Sequence, residues 1–302
     1  MITGYAPLKE RSSMRIIDVH THGFGGHDSK GAKPEDLLGM ARLQGELGID
    51  AIVITIYSSS LDEMRADMSA VKRAMESQQE RRLECSGQKQ AAIIGAHLEG
   101  PFLNPAMAGA LDRGSFLPAT VSNCERLIEG FDKVVRIMTV APELEGATKL
   151  ISAAAGRGII VSMGHSDATF SEAQDGFSAG ATGITHLFNA MRGIHHREPG
   201  IAGFGLTNPH VYTEVIADPY HLHPGVLEII FRMKDRMRII LVSDTVKGSG
   251  IAGSSGVRSA SGRLLGGSMV LTESMKRLVE LGFDRDIVEA AACENPGRYL
   301  GL

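Results

Sequence analysis

The sequence predicts an α/β fold, a (β/α)8 TIM-type barrel, and three observations carry that expectation. Short β-branched or aliphatic runs recur along the chain, segments of helical periodicity separate them, and most of the runs end in a histidine or an acid. Alternating strands and helices call for a parallel sheet, because parallel neighbours need a crossover that a helix supplies. Eight such units in roughly 250 residues is the size of a closed barrel, and a doubly wound open sheet is the second choice.

The expected strands are, in order, Arg15–Val19, Ala51–Ile56, Ala91–Ala96, Val134–Val140, Gly158–Met163, Ala181–Thr185, Val211–Ala217 and Arg238–Val242. Between them, helical spacing of apolar residues marks Pro34–Leu47, Leu61–Leu83, Glu143–Ala155, Ser171–Ala179 and Pro224–Met233, several opened by Pro or Ser at the helix start. Lys247 to Gly267 is rich in Gly and Ser and is expected to be a mobile loop or hairpin beside the last strand. Residues 1–14 read as an N-terminal extension and 15–302 as a single catalytic barrel, with no repeat or linker that asks for a second domain.

The balance of the 302 residues, 43% hydrophobic and 22% charged, is that of a globular chain and excludes disordered and fibrous classes. With 31 basic and 35 acidic residues the net charge is −4, so no broad field favours nucleic acid or an anionic membrane, and any phosphate recognition must be local. Cys85, Cys124 and Cys293 lie far apart, without metal-type spacing or a disulfide framework, which suits a reducing cytoplasm. No stretch is apolar enough for a signal peptide or a membrane span.

In a barrel, chemistry gathers at the C-terminal ends of the strands, so the residue following each apolar run matters most. After the first run come His20 and His22, which share a strand face and aim two imidazoles at one point. After the third come His97 and Glu99, after the fifth His165, after the sixth His186, and after the eighth Asp244. Each has a plain alternative: a chance His-x-His, a core histidine for His97, a helix cap for the nearby Asp167, a turn acid for Asp244. Together, at one rim, they point to a site for one or two divalent ions. A shell of histidine and carboxylate suits Zn²⁺ first, with Fe²⁺ or Mn²⁺ as alternatives, and lowers the pKa of bound water towards ~7.

Several local words go further. Ala96-His97-Leu98-Glu99-Gly100-Pro101-Phe102-Leu103-Asn104-Pro105, Gly164-His165-Ser166-Asp167-Ala168, Thr185-His186-Leu187-Phe188-Asn189-Ala190-Met191, Arg197-Glu198-Pro199-Gly200 and Leu241-Val242-Ser243-Asp244 resemble the amidohydrolase superfamily, and within it the N-acetylglucosamine-6-phosphate deacetylase family. The likeness runs from residue 15 to the closing Asn295-Pro296-Gly297-Arg298-Tyr299-Leu300-Gly301-Leu302. It implies that Glu99, His165 and His186 hold the metal that activates water, that His20 and His22 hold a second one, with Asp244 also at the metals, and that His97 lends support. It implies Asp244 as the general base and then acid, and His221 as the group facing the amide carbonyl. Gly100, Ala110, Asn189, Ala190, Arg197 and the run Leu264-Leu265-Gly266 would contact the sugar phosphate, Arg through its planar fork. His223 reads as a helix-start residue, and His195 and His196 as either a surface loop or an anion patch.

Three departures stand beside the likeness. Family members carry β-rich segments before and after the barrel, whereas about 14 residues precede the first strand here and the chain ends at Leu302, so the expected barrel, of the metal-dependent hydrolase kind, has little or no accessory β-sandwich. Leu111 occupies the place of a pocket histidine, and Pro219-Tyr220 stands where a Gly-containing pair is usual. The expected function is metal-dependent hydrolysis of the acetamide of N-acetylglucosamine 6-phosphate to glucosamine 6-phosphate and acetate, by a cytoplasmic homodimer without nucleic-acid or membrane partners. A different N-acyl or cyclic amide substrate, and a non-catalytic ligand-binding barrel, are the alternatives.

Overall fold

The computed structural model describes residues 15–84, 89–251, 257–259 and 261–302. Eight strands, β1 (Ile17–Thr21), β2 (Ala51–Tyr57), β3 (Ala92–Glu99), β4 (Val135–Val140), β5 (Ile160–Met163), β6 (Gly183–Ile184), β7 (Tyr212–Ile216) and β8 (Ile239–Val242), pair in sequence order. Every neighbouring pair is parallel. The ring closes beyond the end of β8: Asp244 N donates to His20 O at 2.8 Å, and Thr21 and Thr245 form a parallel bridge. The Asp18 carboxylate sits in that seam, accepting from the backbone of His20 and Ser243, and burial pushes it up to about 6. Each expected strand is present, the sixth shortened to two residues.

Ile17, Val19, Ala51, Val53, Ile137, Ile216, Ile240 and Val242 pack inside the barrel on Tyr299 and Leu300, which come from α10 (Glu294–Leu300) below it. The outer strand faces, Ile52, Ile54 and Ile56 among them, meet the helices in a second and larger cluster. The pairing of β1 with β2 shifts register between Asp18 and Thr21. Across that shift the strand's parity changes, so that Val19 belongs to the core and His20 and His22 to the polar mouth, the use that bulges serve beside active sites.

The helices between the strands are α1 (Pro34–Glu46), α2 (Leu61–Glu84), α3 (Val121–Ile128), α4 (Ala147–Gly156), α5 (Phe170–Ser178), α6 (Gly200–Thr207) and α7 (Pro224–Met233), with α8 (Leu271–Glu280) and α9 (Arg285–Ala292) after β8. The helix expected from Glu143 starts four residues later, because Glu143 is spent on the loop after β5: it accepts from Asn104, Ser166 and the backbone of Asp167. Thr169, paired reciprocally with Glu172, caps α5, while Asp167 takes a two-pronged ion pair from Arg192. His223 caps α7, accepting from Gly225 N. Lys234 is buried and donates to the carbonyls of Gly205 and Asn208 at the C-terminal end of α6, and burial lowers it to about 8. Between Lys247 and Gly267, an antiparallel bridge joins Arg258 to Leu264, while 252–256 and 260, like Cys85 and residues 1–14, lie outside the described residues.

Candidate metal centre

Among the described residues three triples of ligand-type groups gather: Glu99 with His165 and His186, and His20 with His22 and Asp244, at the mouth of the barrel, and His20 with His97 and Glu214 behind them. The mouth groups come from the ends of β1, β3, β5, β6 and β8, and three of them, His165, His186 and Asp244, have positive φ angles of 47°, 29° and 50°. Left-handed backbone at non-glycine residues is strained, and here it turns each side chain inward as its strand ends. Glu99 joins the triples. Its Oε1 lies 3.0 Å from Nε2 of both His165 and His186, and its Oε2 lies 3.2 Å from His22 Nε2. Asp244 Oδ1 lies 3.4 Å from Nε2 of both His20 and His22.

These separations match a cation. Ligands held tetrahedrally about 2.0–2.1 Å from Zn²⁺ stand roughly 3.3–3.4 Å apart. The Nε2 atoms of His20 and His22 are 3.3 Å apart and those of His165 and His186 3.2 Å apart, so lone pairs face one another where only one proton could be shared. A divalent ion in each mouth triple would satisfy both. Burial opposes charge on Glu99, but His165 and His22 beside it, with hydrogen bonds from His165 and His186, hold its carboxyl well below the usual range.

The rings are aimed from behind. His20 Nδ1 meets Glu214 Oε2 at 3.0 Å, and His165 Nδ1 donates to Met107 O at 2.9 Å, which turns both Nε2 atoms to the centre. His22 Nδ1 is buried without a hydrogen-bond partner among the described residues; its ring is instead stacked on Tyr57, centroids 3.9 Å apart at 16°. His97 belongs to neither triple at the mouth. Its ring edge packs on His20 and its nitrogens reach Val19 O and Thr139 Oγ1, while burial and His20 lower its basicity and keep it neutral. Glu214 and Tyr57 were missed at the sequence level. The signal for Glu214 is a lone acid inside an apolar run, which demands a buried partner; nothing in the sequence singles out Tyr57.

Above the cluster opens a cavity of about 760 Å³. Of the expected contact residues, Ala110, Asn189, Ala190, His221, Leu264, Leu265 and Gly266 line it, together with Leu111. His221 Nδ1 is tied to Asp218 Oδ1 at 3.0 Å, leaving Nε2 as its other edge; burial disfavours the Asp218 carboxylate, but the bond to His221 prevails and lowers it to about 2. Gly100 and Arg197 are not among the lining residues. Gly100 has a φ of 103°, and a Cβ there would lie 2.9 Å from Leu103 Cδ1, so glycine answers to close packing. Arg197, on an exposed loop, bonds through Nη1 to His196 at 2.9 Å.

No family model matches the chain. It is 34% identical over 236 residues to the N-acetylglucosamine-6-phosphate deacetylase of Vibrio furnissii, covering 78% of this chain and 57% of that protein. It is 31% identical over 300 residues to the N-acetylgalactosamine-6-phosphate deacetylase of Escherichia coli O157:H7, covering 95% of this chain and 77% of that one. The chain thus spans little more than half of the first relative and three quarters of the second. The structure of Mycobacterium smegmatis N-acetyl-D-glucosamine-6-phosphate deacetylase in complex with N-acetyl-D-glucosamine-6-phosphate superposes with a TM-score of 0.86 at 26% identity, over 96% of this chain and 77% of that one. With a relative matched at 31% identity over most of both lengths, and a shared barrel fold, the chain belongs to the N-acetylglucosamine-6-phosphate deacetylase family of amidohydrolases.

Proposed function

We propose that this protein is a divalent-metal hydrolase that removes the acetyl group from an N-acetylated hexosamine 6-phosphate, with N-acetylglucosamine 6-phosphate as the first substrate to test. The observation that carries the reading is the pair of triples, sharing Glu99, on the floor of a sugar-sized cavity. Glu99, His165 and His186 would hold one ion and His20, His22 and Asp244 a second, Zn²⁺ first and Fe²⁺ or Mn²⁺ next. A divalent ion there supplies a Lewis acid, which acidifies water and polarises an amide carbonyl.

The chain's own groups do the rest. Asp244, facing both the cluster and the cavity, takes the proton of the attacking water and passes it to the leaving nitrogen as the C–N bond breaks, giving acetate and a free amine. Asp218 fixes the His221 ring so that Nε2 is the edge left for the carbonyl oxygen, where it stabilises developing charge. Ala110, Asn189, Ala190 and Leu264 to Gly266 would position the sugar. A homodimer and a cytoplasmic setting belong to the reading on the family likeness and the scattered cysteines. No described helix is long and apolar enough to cross a membrane.

Leu111 in the lining favours a second reading, the same chemistry on a less polar N-acyl compound or cyclic amide. Acetate release from the glucosamine and galactosamine 6-phosphates, with metal quantified in the same sample, tests both. Metal-dependent turnover of either sugar supports the first reading; a metal-loaded protein inert on both overturns it in favour of the second, and a protein that retains no metal overturns hydrolysis altogether.

A further inference from the structure

We infer that Gly266-Gly267-Ser268 is a positioning brace that fixes Asp244 and His221, the proton carrier and the partner of the amide carbonyl, relative to one another across the cavity. The inference rests on the functional reading above and adds Gly267 and Ser268 to the residues on which the reaction depends. The three residues follow the hairpin and precede α8, and of the three only Gly266 lines the cavity.

One end of the brace is fastened to the segment after β8. Gly267 N donates to Asp244 O at 2.7 Å, Gly267 forms a parallel bridge with Thr245, and Gly267 O accepts from Ser249 Oγ at 2.7 Å. The approach is so close that a Cβ on Gly267 would overlap Ser243 O and one on Gly266 would lie 2.7 Å from Asp244 O, which is why glycine stands at both positions. Asp244 has a φ of 50°, a backbone state that its surroundings must hold. The bonds on its two sides do so: Asp244 N donates to His20 O, and Asp244 O accepts from Gly267 N.

The other end meets the loop after β7. Ser268 N and Oγ both donate to Asp218 Oδ2, at 3.1 and 3.2 Å, while Asp218 Oδ1 accepts from Tyr220 N, His221 N and His221 Nδ1 at 2.9, 2.9 and 3.0 Å. The buried Asp218 carboxylate therefore serves the brace with one oxygen and His221 with the other. It can turn only as far as both sets of donors allow, and the His221 ring turns with it. Farther out on the hairpin, the Arg258 guanidinium lies over the exposed Tyr220 ring, 5.6 Å from its centroid, a second tie between the same two segments.

Strands β7 and β8 are neighbours, which brings Asp244 and His221 to one side of the mouth. Pairing of the strands does not set how two side chains beyond their ends face one substrate. Consecutive amides, Gly267 N and Ser268 N, reach one to each side, so neither loop shifts without the other. Misplacement at a reacting centre is felt in rate more than in binding.

The test uses Ser268→Ala, which removes the hydroxyl bond and keeps the amide one, and Ser268→Thr, which keeps both. In the full-length, metal-loaded protein, acting on the hexosamine 6-phosphate it turns over, Ser268→Ala is expected to lower kcat by about 2- to 10-fold, the worth of one such hydrogen bond. KM and metal content stay unchanged, and Ser268→Thr restores kcat. In a His221→Ala background the same substitution costs nothing further, because Ser268 acts through that ring. The second readout needs no turnover: with isotope-labelled histidine, the His221 Nδ1–H resonance, identified by its loss in His221→Ala, shifts in Ser268→Ala and returns in Ser268→Thr. Wild-type kcat with an unmoved resonance in Ser268→Ala overturns the inference, as does a loss of kcat that recurs in full in the His221→Ala background. A wild-type protein inert on both sugar phosphates whose His221 resonance still follows Ser268 would sink the functional reading and leave the brace standing.

Discussion

The floor of the cavity and its rim are built on opposite terms. On the floor, His20, His22, Glu99, His165 and His186 are almost wholly buried, and each is supported by a partner behind it or by a neighbour in the cluster. At the rim, Lys30, Ala110, Lys247 and Arg263 are exposed, and the backbones of Lys30 and Arg263 are held by hydrogen bonds to Asp28 and Ser259. On the proposed reading the floor carries the chemistry and the rim the choice of molecule. Floor and rim can therefore vary separately, which is how this chain can bring two ligand-type triples together and yet carry Leu111 in the lining.

The largest test of that division removes the proton carrier. Asp244→Asn is expected to lower kcat by about 10²- to 10⁴-fold, far more than the accompanying loss of metal read by elemental analysis; loss of activity only in step with metal would make Asp244 a ligand and not the proton carrier. Behind the floor, Glu214→Gln keeps the shape but weakens the hydrogen bond that aims His20. A fall of about 10- to 100-fold in metal affinity, measured by competition with a chelator, is expected. Next comes the stack on His22. Tyr57→Leu should cost about 2- to 10-fold in metal affinity, the worth of an aromatic pair, and Tyr57→Phe should restore it; equal losses in both would assign the role to the hydroxyl instead.

The smallest effect on the site, and none on the rim, is expected far below it. Lys234→Met removes two hydrogen bonds to the end of α6 and should lower stability by about 1–3 kcal/mol in urea unfolding, with kcat unchanged. The pH dependence has a definite sign. Burial lowers this lysine from 10.5 to about 8, so between those values the unfolded chain binds the proton that the folded chain has released. The penalty of the buried charge is complete below about 8 and is relieved as the pH rises towards 10.5. Wild-type stability therefore gains over that window relative to Lys234→Met.

Much of this architecture was legible because barrels put their code at strand ends. An apolar run says where a strand lies, the residue after it says what the mouth contains, and all eight strands and both mouth triples follow. What failed to show depends on contacts between segments distant in sequence. Glu143 reads as the first residue of a helix, and only the fold brings Ser166 and Asp167 to its carboxylate. Asp167 reads as a cap until Arg192 arrives from the next loop. Tyr57 looks like one more aromatic at the end of a strand, and its stack on His22 depends on β1 and β2 being neighbours in the ring. Loops of irregular backbone hide the rim for the same reason.

The seam between the first and last strands has a further consequence. Its hydrogen bonds run through His20 and Asp244 themselves, so the ring is buckled by two residues that also belong to one candidate ligand triple. Opening the barrel at that point and dismantling the site are one event. A cation or substrate that draws these two side chains together acts as a clasp on the whole molecule, and its affinity reappears as resistance of the fold to opening. The amide protons of His22 and Asp244 should then exchange with solvent at a rate that ligand, more than temperature, controls.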